Sequence, residues 1–384
     1  MADFRKLTAY MDSLKDDYHI PGCDVVVWKD HRTVYRHPAG ERHPGVSMNG
    51  TEFYNFYSAS KISTMIASLK LIEEGKLSLA DPLCKYLPAY TDMKYKGADG
   101  QIRPISRPIT IEQCMTMTTG MDYEIMPPAV QRVVAKHGDA ATTKQIVDAY
   151  AEKPLQFDPG TNFFYSLSHD VMGAVIEVVS GMKLGAYLQE NVYDPLGITD
   201  ITFYPTKAQE ESMHRYVALE EKKAPQLKQD TFYIRESGII PSASYESGGG
   251  GLVGTVESYG KIMDMLAGGG IGADGKRILK KETVEMCKVN HLNSNQILYG
   301  MRAQWPLKNT AYGWGLCGRV MIEPSMSRSP VGEFGWCGAA GCYGLADTQN
   351  CLAIFFGMNV LEYTNIIESQ VHPAIRDMVY EALV

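Results

Sequence analysis

The sequence has no CxxC pair among its eight cysteines, no HExxH or HxH pattern among its nine histidines, and no Lys/Arg run. The first two absences leave no metal site to propose and favour free, mostly buried thiols. The third, with a net charge of −7, argues against nucleic acid as a partner, because phosphate binding needs a concentrated basic surface. No stretch approaches the roughly 18 uninterrupted apolar residues of a membrane-spanning helix. The opening MADFRKLTAYMDSLKDDYHIPG interrupts every apolar stretch with charge, so it lacks the apolar core of a secretory signal, and a cytoplasmic protein is expected. Internal repeats and low-complexity tails are also missing.

What is present is the profile of an ordinary globular protein: 384 residues, 45% hydrophobic, 21% charged, 10% aromatic, a length that suggests two lobes. Apolar spacing predicts a helix from Asp3 to Lys15. The runs CDVVVWKD and TVYRH read as an antiparallel hairpin around Asp30 and His31. SASKISTMIASLKLIEEG reads as a strongly amphipathic helix with Ser58 as N-cap and Gly75 as its stop. Signals from residue 77 to 224 are mainly helical. A glycine run, Gly248 to Gly251, precedes a helix from Val256 to Leu266, strand-like GRVMI, EFGWCGAAGCYGLA and CLAIFFGMN, and a last helix from Ile366 to Leu383. The expected fold is α+β: a mixed antiparallel sheet flanked by helices, built from residues 1–76 and 225–384, with an inserted mainly helical lobe at 77–224 and a cleft between the two.

The chemistry-bearing spacing is SxxK, which sets a hydroxyl and an amine on one helix face, where a desolvated neutral Lys can take the Ser proton. It occurs at Ser58/Lys61, Ser180/Lys183 and Ser258/Lys261. Ser180 adjoins Gly181 at a helix C-terminus, where the dipole opposes a developing oxyanion, and is set aside. Ser58 and Ser258 both open helices, and spacing alone does not choose between them. Ser58 follows the aromatic FYNFY, which favours a buried helix N-terminus. Gly270, Gly272 and Gly275 match GxGxxG but follow a helix instead of a strand, so they read as a turn. Carboxylate pairs Asp16/Asp17, Glu73/Glu74 and Glu220/Glu221 lie in charged stretches and read as surface.

Several segments, in order, resemble the serine β-lactamase and penicillin-binding group, above all its class C and family VIII carboxylesterase branches. These are the SxxK helix with EEGKLSLADPLCKYLPAY, then ITIEQCMTMTTGMDY, FDPGTNFFYSLSHDVMGAVIEVVSG, SGGGGLVGTVESYGKIMDML and FGWCGAAGCYGLAD. The resemblance implies a β-lactamase/transpeptidase-like fold and makes Ser58 the nucleophile. It puts Tyr165 on the family's catalytic tyrosine, exchanging protons with the serine and the leaving group, beside Lys61, whose ammonium would lower its pKa from about 10. Trp336, Cys337 and Gly338 fall on the third motif, and the amides of Ser58 and Ala339 would form an oxyanion hole. In two places the chain departs from typical lactamases, with Leu167 for an asparagine and Trp336 for a lysine. Both changes remove polar groups that hold a lactam amide or its carboxylate; the resemblance implies that Leu167, Trp336, Cys337 and Gly338 bind substrate, with Trp336 making the wall more apolar.

The leading expectation is a cofactor-independent carboxylesterase that acylates Ser58 with a small-molecule ester. The alternatives are β-lactamase or D-alanyl-D-alanine carboxypeptidase-like activity on an amide, acyl transfer to an alcohol, and a catalytically silent ligand-binding relative.

Overall fold

The computed structural model describes residues 2–213, 216–217, 240–304, 311–361 and 364–383. The expected lobe boundary at 224/225 and the pair Glu220/Glu221 lie outside them.

The first helix, α1 (Arg5–Tyr18), buries Leu7, Met11 and Leu14 at helical spacing and ends at His19, whose positive φ of 56° lets its N–H return to Leu14. Two strands follow, β1 (Gly22–Lys29) and β2 (Arg32–His43), joined by Asp30 and His31 with φ of 50° and 62°. Two consecutive left-handed residues give the turn whose twist matches a two-residue hairpin, so the hairpin forms where the sequence placed it. The short β3 (Val46–Ser47) extends it.

The rest of the sheet comes from the far end of the chain: β6 (Tyr312–Gly315), β7 (Gly318–Met321), β8 (Phe334–Cys337), β9 (Tyr343–Asp347) and β10 (Leu352–Gly357). The order is β3-β2-β1-β10-β9-β8-β7-β6, antiparallel throughout, with Val25 opposite Phe356 and Val27 opposite Ile354. Alternation then divides the core. Val25, Val27, Ile354 and Phe356 pack under α1 and the last helix, α6 (His372–Leu383), whereas Val26 and Phe355 face the interior. Each such side chain, fully buried, contributes about 1.5–3 kcal/mol.

On the interior face lie α2 (Ser60–Glu73) and α4 (Val256–Ala267), and α3 (Ser168–Ser180) packs against α2. Strands β4 (Phe53–Asn55) and β5 (Val253–Thr255) pair and lead into α2 and α4. Helix α5 (Lys281–Cys287) precedes β6. Among its described residues the middle of the chain is mainly helical; its strands are one hairpin, Lys94–Lys96 with Ile102–Pro104, and the two-residue Tyr216–Val217, which pairs with Val360–Leu361. Among the described residues, no single helix is long and apolar enough to cross a membrane.

Two expectations about α2 are corrected. Ser58 is not an N-cap: it sits in a 3-10 turn, Tyr57–Ala59, and the helix starts at Ser60. Nor is the helix amphipathic. Eleven of its residues are buried, Ser60, Lys61, Ser63, Thr64 and Ser68 among them, because α2 runs through the centre of the molecule. Its polar groups find partners there: Thr64 Oγ1 donates to Gly248 O at 2.7 Å, and Ser60 Oγ accepts from Leu252 N at 3.1 Å.

Candidate active site

Ser58 is held by backbone on both sides. Tyr57, buried before it, has a φ of 44°, a left-handed conformation costly for an aromatic residue that its packing maintains. The loop after β8 presses on the same segment, and a Cβ on Gly338 would stand 2.2 Å from Phe56 O. Only glycine permits that approach, which brings Ala339 to the cavity wall beside Ser58.

One helical turn on, Lys61 Nζ donates to Ser58 Oγ at 3.2 Å, to Gly249 O at 2.6 Å and to Tyr123 Oη at 3.2 Å. Lys61 is 2% exposed. Desolvation pulls its amine down to about 8, opposed by the negative charge of Asp170. Asp170, in the first turn of α3, accepts from Ser247 Oγ at 2.6 Å and Tyr245 Oη at 2.9 Å. A Cβ on Gly249 would stand 2.1 Å from Asp170 Oδ2, so the glycine run provides the gap in which the carboxylate and Lys61 share one wall. The other SxxK pairs are not assembled. Lys261 Nζ donates to Gly197 O at 3.1 Å, Ser180 Oγ donates back to Ile176 O at 2.7 Å, and Ser258 is buried in the first turn of α4. The GxGxxG match is a turn, with positive φ at Gly270 and Gly275.

Tyr165 joins Ser58 and Lys61. Its hydroxyl hydrogen-bonds Ser58 and accepts from Trp336 Nε1 at 3.0 Å, and its backbone N–H donates to Gln304 Oε1 at 2.9 Å. The expected pKa direction is overturned. Burial pushes the Tyr165 hydroxyl well above its ordinary value of 10, while the Lys61 ammonium lies 4.7 Å from the ring centroid, against the face. Trp336 is also corrected. It is 6% exposed, packs edge-on against Trp314 with centroids 4.5 Å apart, and spends its indole N–H on Tyr165 instead of facing substrate. Cys337 donates its thiol to Glu368 Oε1 at 2.9 Å, and Gly338 is buried beneath the loop, so neither forms the cavity wall. Leu167 does line the cavity, as expected.

The sequence reading missed Tyr123, Asp170, Gln304 and Trp314. Asp170 carried a signal, a carboxylate at the start of the otherwise apolar run DVMGAVI. Tyr123 lies in a loop without periodicity and had none.

These groups open onto a cavity of about 530 Å³ walled by Tyr57, Tyr123, Ile125, Tyr150, Phe164, Tyr165, Leu167 and Tyr245, with Ser58 and Ala339 at its edge. Among the described residues that line it there is no lysine or arginine. A hydroxyl beside a poised amine in an apolar, aromatic cavity is suited to nucleophilic attack on an uncharged carbonyl.

The family model described as beta-lactamase matches residues 7–365. The chain is 24% identical over 398 residues to esterase EstB of Burkholderia gladioli, covering 98% of this chain and 94% of that one. It is 30% identical over 286 residues to acyltransferase mokF of Monascus pilosus, covering 70% and 66%. Among solved structures it is similar to EstCE1, a hydrolase with promiscuous acyltransferase activity, with a TM-score of 0.77, 25% identity and 98% of each chain covered.

Proposed function

The chain belongs to the beta-lactamase family of serine hydrolases, and from that premise we propose that it is a carboxylesterase working through an acyl-enzyme on Ser58. The observation that carries the reading is the 3.2 Å contact between Ser58 Oγ and a buried amine drawn down to about 8, at the edge of an aromatic cavity. At neutral pH a usable fraction of Lys61 is uncharged and takes the Ser58 proton as Oγ attacks the ester carbonyl. The amides of Ser58 and Ala339 serve the developing oxyanion, each such donor being worth roughly 3 kcal/mol. Tyr165, fixed by Trp336, holds the Ser58 proton on its path, and water then hydrolyses the acyl-enzyme.

Esters are favoured over lactams for a specific reason. Penicillins and cephalosporins carry a carboxylate beside the scissile amide, and the family's lysine partner for it is replaced here by an indole turned toward Tyr165. A charge-assisted contact of that kind is worth about 1.5–3 kcal/mol. Acyl transfer to an alcohol is the second reading, supported by the likeness to EstCE1, a hydrolase with promiscuous acyltransferase activity, and to acyltransferase mokF. The eight unbridged cysteines fit a reducing compartment, and a cytoplasmic setting is part of the proposal.

The test compares nitrophenyl acetate and butyrate with a chromogenic cephalosporin, and labels the serine with a fluorophosphonate. We expect higher kcat/KM on the esters, loss of labelling and turnover in Ser58→Ala, and retention of both in Ser258→Ala. Faster cleavage of the cephalosporin would replace the esterase by a lactamase, and labelling lost only in Ser258→Ala would move the nucleophile.

A further inference from the structure

Two phenols flank the nucleophile, and only one belongs to the motif that drew attention to it. Tyr123 stacks on Tyr165 with ring centroids 5.4 Å apart and planes within 9°. Its hydroxyl is the one that meets Lys61 Nζ at 3.2 Å, and it also hydrogen-bonds Ser58. Tyr123 is 36% exposed and lines the cavity, so a residue whose hydroxyl bonds both the amine and the nucleophile also borders the space a substrate would fill. Tyr165 is placed differently: its oxygen accepts the Trp336 indole N–H, and Lys61 lies against its ring face.

We propose that Tyr123 is a further catalytic residue, the general acid that delivers a proton to the departing alcohol. The inference rests on the acyl-enzyme reading and assigns the second half of its proton path. In acylation, Ser58 Oγ bonds to the ester carbonyl carbon and its proton passes to neutral Lys61. The carbonyl carbon then loses the alkoxide, which takes the Tyr123 phenolic proton while Lys61 returns one to the phenol oxygen. The net change is one ester and one serine hydroxyl converted to one acyl-serine and one free alcohol, with Lys61 and Tyr123 restored. In deacylation the path runs in reverse: water gives its proton to Tyr123 as Tyr123 passes one to Lys61, and Lys61 gives one back to Ser58 Oγ. No free phenolate accumulates, because the transfers to and from the phenol oxygen are concerted. The two tyrosines thereby divide the work, Tyr165 on the nucleophile's proton and Tyr123 on the leaving group's.

Leaving-group dependence separates this role from packing. Tyr123→Phe keeps the ring and its stacking and removes only the oxygen. Acylation rates are measured for wild type and variant with butyrate esters of 4-nitrophenol, phenol and trifluoroethanol, whose alcohols depend increasingly on protonation in that order. The variant is expected to lose about a hundredfold on the trifluoroethyl ester and less than about fivefold on the nitrophenyl ester, within the range for loss of a general acid. Fluorophosphonate labelling, which expels fluoride, should proceed at nearly the wild-type rate and shows that the variant site is folded. An equal loss on all three esters makes Tyr123 a packing residue, and no loss on any removes it from the chemistry; either result overturns the proposal. A wild-type protein that neither labels nor cleaves any of the three overturns the acyl-enzyme reading, and the proposal with it.

Discussion

The pH dependence of Lys61 offers the sharpest test of the site, because kinetics and stability must give the same answer. Moving the amine from 10.5 to about 8 raises its uncharged fraction at pH 7 from roughly three in ten thousand to about a tenth, some 300-fold. If uncharged Lys61 is the base, kcat/KM on nitrophenyl butyrate should rise with pH along one limb with a midpoint near 8. At pH 7 it should stand about tenfold below its plateau. The thermodynamic sign follows from linkage. Between about 8 and 10.5 the unfolded chain binds the proton that the folded one has released, so folding stability rises with pH in that window. Lys61→Met has no such group. Relative to it, the wild type should gain about 2.5 kcal/mol between pH 7 and pH 10, read as the difference of two denaturant titrations at each pH. Other titrating groups cancel in that difference. At pH 7 itself the two proteins should lie close, since relief of the buried charge is offset by the loss of a charge-assisted bond to Gly249 O, about 1.5–3 kcal/mol. A rate profile flat from pH 6 to 9, or a stability difference unchanged from pH 7 to 10, would refute the claim that burial prepares this amine.

Tyr165→Phe should lower turnover by about a hundredfold or more, equally across leaving groups, whereas Trp336→Phe, which removes the N–H together with part of the indole ring packed on Tyr165 and Trp314, should cost about two- to tenfold. Steady-state kinetics on the same ester series checks both, and a larger loss in the tryptophan variant than in the tyrosine variant would invert their assigned roles. Trp336→Lys, which restores the lysine of typical lactamases, should destabilise the protein, because it sets an ammonium among Trp314, Tyr165 and the sheet. Gly338→Ala should destabilise by about 2 kcal/mol and reduce kcat, as its Cβ drives the loop away from Phe56. Unchanged stability by chemical denaturation would show that the loop has room.

The elements that were legible in the sequence are those with a local signal. Two β-branched runs around Asp30-His31 gave the first hairpin, and GRVMI and CLAIFFGMN gave two strands at nearly their observed bounds, whereas EFGWCGAAGCYGLA, read as one strand-like segment, is two strands joined by a turn. YGWG was passed over, since four residues with two glycines carry no period, and its pairing with GRVM makes it a strand. For the same reason FYN was read only as an apolar lead-in to Ser58, although it pairs with VGT nearly 200 residues away. Within the site, spacing offered Ser58/Lys61 as one of three SxxK pairs, and the family resemblance chose it over Ser258/Lys261. Tyr123 and Trp314 were invisible because their contacts with Tyr165 and Lys61 are tertiary. The direction of the Tyr165 shift was misjudged because sequence shows that a cation is near without showing whether it meets the oxygen or the ring.

The interleaving of the main sheet sets an order on the making of the protein. Strand β1 occupies an interior position, yet its partner β10 begins more than 300 residues later. While the chain is being synthesised, the first hairpin therefore has to wait with one edge open and the Val-rich stretch unpaired, a template for pairing with other chains. The helical middle, rich in local contacts, can organise during that interval, and the sheet closes last when Leu352–Gly357 slides in beside β1. Refolding of the full chain should accordingly be slow and sensitive to concentration, and a ribosome stalled before residue 352 should hold a fluorophosphonate-silent precursor whose hairpin is a natural client for chaperones.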